Sequence, residues 1–300
     1  MKKTYLLAAT SIFFWSTVAV ISKLLLGAYD NIQVLWVSVF FAGIALFVFN
    51  IVTGRFKKLR NYKAKDYTIS VLIGLPSTFF YYMFYYAGTD LMPASQAFIV
   101  NYLWPIMSVV FACVILKEKM TVRKGLAIGM SFVGVIVVTS GELVRFDHQT
   151  LLGALFCVLG AVSYGIFTAL NQKKSYDKCI TMMISYGASF VLTTVINAVR
   201  GQLFIPTAVQ TVGFAWNGIF TMAVATTAWV VALGLGETAK ISNLAYITPF
   251  LSLVWTSLVL KEEVSIFSLV GLIIIVLGIF VQLKDKETIN NTYNKKDIEL

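Results

Sequence analysis

The side chains that could bind a ligand lie beside a proline in a long apolar run. Asn101, Tyr102 and Trp104 precede Pro105. Proline has no backbone N–H, so the carbonyl of Asn101, one helical turn earlier, loses its usual hydrogen-bond donor. Inside a membrane that carbonyl needs a partner, which a polar ligand or a water-lined cavity can supply. The stretch therefore favours ligand binding over covalent chemistry, and the alternative is a proline kink that only shapes helix packing.

The same stretch returns later in the chain in a weaker form. Residues 101–118, NYLWPIMSVVFACVILKE, align with residues 245–262, AYITPFLSLVWTSLVLKE, after a shift of 144 positions. Tyr246 and Pro249 stand where the first copy has Tyr102 and Pro105, and both copies end in Lys-Glu. A symmetric placement of the two prolines favours a functional helix break over an incidental kink.

The composition requires a membrane for these runs. Apolar residues make up 58% of the 300 residues, charged residues 13%, and the mean hydropathy is +0.81. A soluble domain cannot hide so much apolar surface, and no short alternating segments indicate a β-barrel. A helix needs about 20 apolar residues to cross the hydrocarbon layer. On that criterion we predict ten spans, at residues 4–26, 32–52, 66–87, 93–116, 122–140, 150–171, 179–200, 212–235, 239–260 and 265–283.

The repeat divides the chain into two five-span halves, residues 1–141 and 142–284, followed by a cytoplasmic tail at 285–300. Most of the 24 Lys and Arg residues lie in connections that share one side of the membrane with both termini. The positive-inside rule makes that side the cytoplasm. Because each half has an odd number of spans, the second half enters the membrane from the opposite side. The predicted fold is an all-α membrane protein with two inverted five-helix repeats, the architecture of alternating-access carriers. A duplicated scaffold without a transport role is the alternative.

A substrate site in such a fold lies near mid-membrane, so polar and aromatic residues near span centres are its candidates. In the third span, residues 79–86 contain seven aromatic residues and must face all directions. We expect most of them to be packing, with one inward stripe at Phe79, Tyr82 and Tyr86. The predicted ligand contacts are Trp15, Ser16, Tyr82, Asn101, Tyr102, Trp104, Tyr164, Trp229, Tyr246 and Thr248. Rings and hydroxyls suit a small amphipathic ligand or, through cation–π contact, an organic cation.

The sequence lacks the motifs of an ATP-driven pump, an intramembrane enzyme or a metal site. The sequence contains no P-loop, no HExxH and no acidic residue at a span centre, so neither an ATP-driven pump nor an intramembrane enzyme is indicated. Cys113, Cys157 and Cys179 have no metal-ligand spacing, and we expect neither a metal nor a cofactor. Lys23 is the one charged residue well inside a run, and we expect its ammonium to reach the outer interface rather than bind substrate.

With these residues in view, the chain resembles the EamA-type drug/metabolite transporter superfamily over residues 4 to 283. Within that superfamily the chain also looks like the aromatic amino-acid exporter branch. The motifs that carry this second likeness are Trp15-Ser16-Thr17, NYLWP at 101–105, Tyr164 with Asn171, Ala228-Trp229 and Thr248-Pro249. The resemblance implies a basket-like bundle with a central cavity lined by spans one, three, four, six, eight and nine.

The resulting expectation is a bacterial inner-membrane exporter of aromatic or other neutral amino acids. Its partners would be the small-molecule substrate and the lipid bilayer, with no nucleic acid and no catalytic activity. An exporter of another metabolite, such as a nucleoside, or of organic cations stays open. A membrane receptor or enzyme is the alternative from a different class.

Overall fold

Long apolar helices make up the described chain. The computed structural model describes residues 2–140, 148–173, 176–235 and 244–296, in which there is no strand. Eight helices in this part are long and apolar enough to cross a membrane, and two shorter apolar helices follow at Ile247–Leu260 and Ile266–Val281. The predicted boundary between the repeats, at 141 and 142, and the first residues of the ninth span lie outside the described residues.

The helices follow the predicted spans closely. The first four spans are α1 (Lys2–Ser16) with α2 (Val18–Leu26), α3 (Asn31–Val52), α4 (Ala64–Leu75) with α5 (Tyr82–Leu91), and α6 (Ala94–Asn101) with α7 (Trp104–Ile115). The next three are α8 (Val122–Ser140), α9 (His148–Lys173) and α10 (Lys178–Val199). The last three contain α11 (Ala208–Ala215) with α12 (Ala225–Leu235), α13 (Ile247–Trp255), and α14 (Ile266–Lys296), which runs beyond the predicted end of the tenth span at residue 283.

Three spans contain wider, π-helical turns, and two of these turns lie at corresponding positions. The third span is π-helical at Pro76–Tyr81 and the eighth at Trp216–Val224, ranges that overlap after the 144-residue shift. A third such segment, Thr256–Leu260, ends the ninth span. A π-turn inserts an extra residue into the helix and rotates the side chains that follow it.

Small residues allow the closest helix contacts. A Cβ at Gly134 of α8 would lie 2.8 Å from the carbonyl oxygen of Gly271 in α14, and one at Gly278 would lie 3.0 Å from the carbonyl of Ala127. The spans pair as the fifth with the tenth, the second with the seventh, the first with the eighth, and the third with the sixth. Van der Waals packing of this kind drives helix association in lipid, where the hydrophobic effect between helices is absent.

Ion pairs mark the two ends of the bundle. Lys58 Nζ lies 2.6 Å from Asp177 Oδ2 at one end, and Arg200 lies 3.1 Å from Asp30 at the other. Burial by itself raises the pKa of Asp177, but hydrogen bonds from Lys58 and from the Ile180 N–H outweigh it and hold that pKa below its ordinary value. Each ion pair thus joins two connections that the sequence predicts to lie on the same side of the membrane.

The two Lys-Glu endings share a backbone conformation but differ in their contacts. Lys117 and Lys261 are the non-glycine residues with positive φ in the described chain, both at 59°, and each ends an apolar helix in the left-handed region. The Glu262 carboxylate accepts hydrogen bonds from the first two backbone amides of α6, at 2.8 and 3.0 Å. Glu118 Oε2 instead lies 3.0 Å from the ammonium of Lys124, which is 2% exposed.

Candidate substrate cavity

Both proline-broken spans turn toward each other at the middle of the bundle. The fourth span is interrupted after Asn101 and resumes at Trp104, because Pro105 cannot donate to the Asn101 carbonyl. In the ninth span the corresponding carbonyl, that of Ala245, accepts a hydrogen bond from the Tyr102 hydroxyl at 2.6 Å. The Ala245 carbonyl, which lost its helical donor to Pro249, is thus hydrogen-bonded by the side chain of Tyr102 at the Pro105 break.

A cavity of about 60 Å³ lies beside this contact. This is room for about four water molecules, so an aromatic amino acid fits only if rings or helices move. Seven spans contribute to its walls. The lining residues are Trp15, Val18, Ser77, Tyr81, Tyr82, Phe98, Asn101, Tyr102, Trp104, Tyr164, Tyr186, Thr226, Ala245 and Thr248.

Aromatic rings form most of the wall. The Tyr164 ring of α9 lies 5.0 Å from Trp104 in an edge-on arrangement and 5.0 Å from Tyr81, measured between centroids. Tyr81 also lies 4.8 Å from Tyr82. Ring faces attract cations and stack on other rings, while the phenolic hydroxyls remain available for hydrogen bonds.

Two buried polar atoms in the lining have no hydrogen-bond partner in the described chain. The Asn101 amide nitrogen donates to the Tyr81 hydroxyl at 2.8 Å, but its Oδ1 is unpartnered, as is Oγ1 of Thr248. Each of these two residues is 2% exposed. A buried unpaired oxygen costs about 1–3 kcal/mol, so a ligand that donates hydrogen bonds here recovers that cost.

Gly160 of α9 makes room for this amide. A Cβ at Gly160 would lie 3.2 Å from Asn101 Oδ1 and 3.3 Å from the Tyr81 carbonyl. Those distances are shorter than ordinary contacts, so a methyl group would require the asparagine amide to shift by a few tenths of an ångström. The sixth span therefore supports the polar side of the cavity by lacking a side chain.

The structure brings seven of the ten predicted contacts together in this lining: Trp15, Tyr82, Asn101, Tyr102, Trp104, Tyr164 and Thr248. Three lie outside it. The Ser16 hydroxyl is fully buried and accepts from the Trp255 indole N–H at 3.0 Å. The Trp229 ring lies 5.3 Å from Trp15, and the Tyr246 ring packs 5.2 Å from Phe280.

Sequence reasoning missed part of the wall. Tyr81 lines the cavity, whereas Phe79 and Tyr86 of the expected inward stripe are buried elsewhere. The Tyr86 hydroxyl accepts from the Asn217 amide at 2.7 Å. The π-turn at Pro76–Tyr81 explains the error at Phe79, because α-helical spacing does not apply within it. Tyr86 lies in α5 with Tyr82, one α-helical turn farther along, and is outside the lining. Tyr186 comes from the seventh span, which supplied no predicted contact.

Charged and metal-binding groups are kept away from the described lining. Lys23 donates to the carbonyls of Thr89 and Met92, at 2.6 and 3.0 Å, and so binds the C-terminal end of α5. Within the described residues no three His, Cys, Asp or Glu side chains are grouped as metal ligands would be. The described lining therefore presents aromatic and hydrogen-bonding groups without formal charge.

Apolar helices of spanning length around a cavity with aromatic walls define a multi-pass membrane protein with an internal cavity. The family model described as "EamA-like transporter family" matches residues 2–140 and 151–283. The chain belongs to this family of transporters, which are not enzymes.

Curated relatives agree with this assignment at low identity. An uncharacterized transporter, YvbV, of Bacillus subtilis is 24% identical, over 92% of this chain and 90% of that protein. The aromatic amino acid exporter YddG of Ancylobacter novellus is 23% identical, over 60% and 63%. An S-adenosylmethionine uptake transporter of Rickettsia prowazekii is 24% identical, over 56% and 54%. A solved crystal structure superimposes with a TM-score of 0.66 at 18% identity, over 94% of this chain and 96% of the other, which shows the shared fold.

Proposed function

We propose that this protein exports aromatic or other neutral amino acids across the bacterial inner membrane by alternating access. The observation that carries the proposal is the composition of the central cavity. Its described lining combines aromatic rings, the unpartnered oxygens of Asn101 and Thr248, and no charged side chain. A zwitterion carries no net charge, its ammonium group donates hydrogen bonds, and an aromatic side chain stacks on rings.

The relatives with a named substrate differ both in that substrate, aromatic amino acids or S-adenosylmethionine, and in the direction of transport. YddG of Ancylobacter novellus is named as an aromatic amino acid exporter, while the Rickettsia relative is named for uptake. Export is favoured by the likeness to YddG and by the sequence motif around Trp104 and Pro105.

The inverted-repeat arrangement is supported by matched details in the two halves. Positive φ values at Lys117 and Lys261 recur after the 144-residue shift, as do the π-helical turns in spans three and eight. The contact of Gly134 with Gly271 has its counterpart in that of Gly278 with Ala127. Two halves of similar structure and opposite orientation can exchange conformations, which opens a shared site to each side in turn.

The proposed topology places both termini in the cytoplasm. Its support is the excess of Lys and Arg in the connections on that side, where Lys58 also pairs with Asp177. Reporter fusions at the C-terminus test it: a cytoplasm-active reporter should be active and a periplasm-active one silent. The reverse pattern would contradict the topology.

An organic cation is the second candidate substrate, because Trp104, Tyr81 and Tyr164 present ring faces to one small space. Counterflow in proteoliposomes distinguishes the two. Labelled phenylalanine, leucine, a nucleoside and a quaternary ammonium compound are tested in parallel, and we expect the neutral amino acids to exchange. Selective exchange of the ammonium compound would favour the second candidate instead.

Trp104→Ala tests the site within that assay. We expect slower exchange, because the ring contact to the substrate is worth about 0.5–1.5 kcal/mol, or roughly 2- to 12-fold. Trp36→Ala is the control. The Trp36 indole N–H donates a hydrogen bond of 2.7 Å to the Thr194 hydroxyl, and Trp36 does not line the cavity. Unchanged exchange in Trp104→Ala would remove this residue from the site.

A further inference from the structure

A second cavity lies between the first, second and eighth spans, at the end of the bundle that holds the N-terminus. It measures about 330 Å³ and is larger than the central cavity, with which it shares no described lining residue. A smaller pocket shares Thr226 with the central cavity and Thr227 with this one. Leu7 comes from α1, Ala45 and Phe49 from α3, and Val224 and Val231 from the eighth span. Its walls are almost wholly apolar.

Exposed apolar side chains next to this cavity on α3 indicate that it opens toward lipid, as a crevice between helices. Ile44 and Phe47, which flank its wall on α3, are each 45% exposed, and such apolar faces contact acyl chains in a membrane. Water gains no hydrogen bonds from apolar walls, and an empty space forfeits dispersion contacts. A lipid tail is the molecule that fills the crevice without either cost.

The rim of the crevice selects the lipid headgroup. Lys3 is the charged residue among its described lining. No carboxylate in the described chain lies within 4 Å of the Lys3 ammonium. Lys3 stands in the first turn of α1, at the depth where the first span enters the membrane and where phosphate groups lie. An ammonium without an acidic partner at that depth attracts an anionic headgroup.

We propose that this crevice binds one anionic phospholipid of the leaflet that faces the N-terminus. Its acyl chain lies along Leu7, Ala45 and Val231, and its phosphate lies at Lys3. The bound lipid completes the packing between the first, second and eighth spans and stays outside the substrate cavity.

Native mass spectrometry of protein from lipid bilayers tests the headgroup. The full chain is reconstituted in mixed phosphatidylcholine and phosphatidylglycerol vesicles, extracted gently, and its retained lipids are counted. We expect phosphatidylglycerol to be retained in preference, and Lys3→Ala to weaken its retention about fivefold. Lys57→Ala, which removes an exposed charge from the loop after α3, should leave retention unchanged.

Filling the crevice tests the acyl-chain site. Ala45→Trp and, independently, Val231→Phe place a ring in the space, and either should abolish the selectively retained lipid. Equal retention of both headgroups by the unmodified protein would overturn the proposal. So would equal losses in Lys3→Ala and Lys57→Ala, or full retention in both filled variants. Displacement of the lipid by phenylalanine would assign the crevice to substrate instead.

Discussion

Tyr102→Phe is the sharpest test of how the two broken helices are joined. The hydroxyl of Tyr102, which is 3% exposed, donates to the Ala245 carbonyl at 2.6 Å. Pro249 deprives that carbonyl of its usual helical donor, although the Thr248 N–H also donates a hydrogen bond to it at 2.9 Å. Removing the hydroxyl leaves a buried acceptor partly unsatisfied, which costs about 1–3 kcal/mol.

The repeat supplies a matched control for this change. Tyr246 occupies the corresponding position in the second half, and its ring packs against Phe280. In thermal unfolding in detergent, the melting temperature of Tyr102→Phe should lie roughly 2–6 °C below that of the unmodified protein. The melting temperature of Tyr246→Phe should stay close to that of the unmodified protein. Equal melting temperatures for the two variants would refute the argument that the hydroxyl stabilises the proline break.

Three further changes test other parts of the structure. Gly160→Ala should slow amino-acid exchange several-fold without loss of folded protein, because its methyl group meets Asn101 at 3.2 Å; normal exchange would show that the amide has room to move. Glu262→Ala should lower the melting temperature more than Glu262→Gln, because only the glutamine keeps an acceptor for the amides that begin α6, and the cap is worth about 0.5–2 kcal/mol. Gly271→Val should reduce the yield of folded protein, since even its Cβ would lie 2.6 Å from the Gly134 carbonyl oxygen. Gly129→Ala is the control: a Cβ there meets nothing within 4 Å, so the yield should not change.

Long apolar runs were predictable from the sequence because a membrane span needs a nearly continuous apolar segment of fixed length. The break at Pro105 was predictable for an equally local reason, the missing N–H of proline. What the sequence did not reveal was the partner of the carbonyl freed by Pro249. Tyr102 lies 143 positions before Ala245, and only the packed bundle brings them together.

Side-chain direction within the third span was harder to predict. An α-helical stripe placed Phe79 inward, but in the π-turn at Pro76–Tyr81 it is Tyr81 that reaches the cavity. Tyr86 follows Tyr82 by one turn of α5 and lies outside the lining. The π-turn begins at Pro76, and a proline inside an apolar run is a sequence signal of a helix irregularity. A helix break next to a run of aromatics is therefore a reason to distrust regular spacing across it.

Contacts between helices explain the remaining differences at the site. Ser16 and Trp229 lie at mid-span, as expected, but Ser16 bonds to Trp255 and Trp229 packs on Trp15. Depth in the membrane follows from sequence position, whereas rotation about the helix axis is set by neighbouring helices. Mid-span position alone therefore does not distinguish a cavity wall from a helix interface.

The proposed function requires the aromatic cavity to carry a neutral amino acid across the membrane. Counterflow of labelled phenylalanine in proteoliposomes of the purified protein tests it most directly. We expect saturable exchange of labelled phenylalanine. Unlabelled tryptophan and tyrosine should inhibit this exchange by competition, and protein-free liposomes should show none. Absence of exchange with every neutral amino acid, in protein that is folded and inserted, would contradict the proposed function.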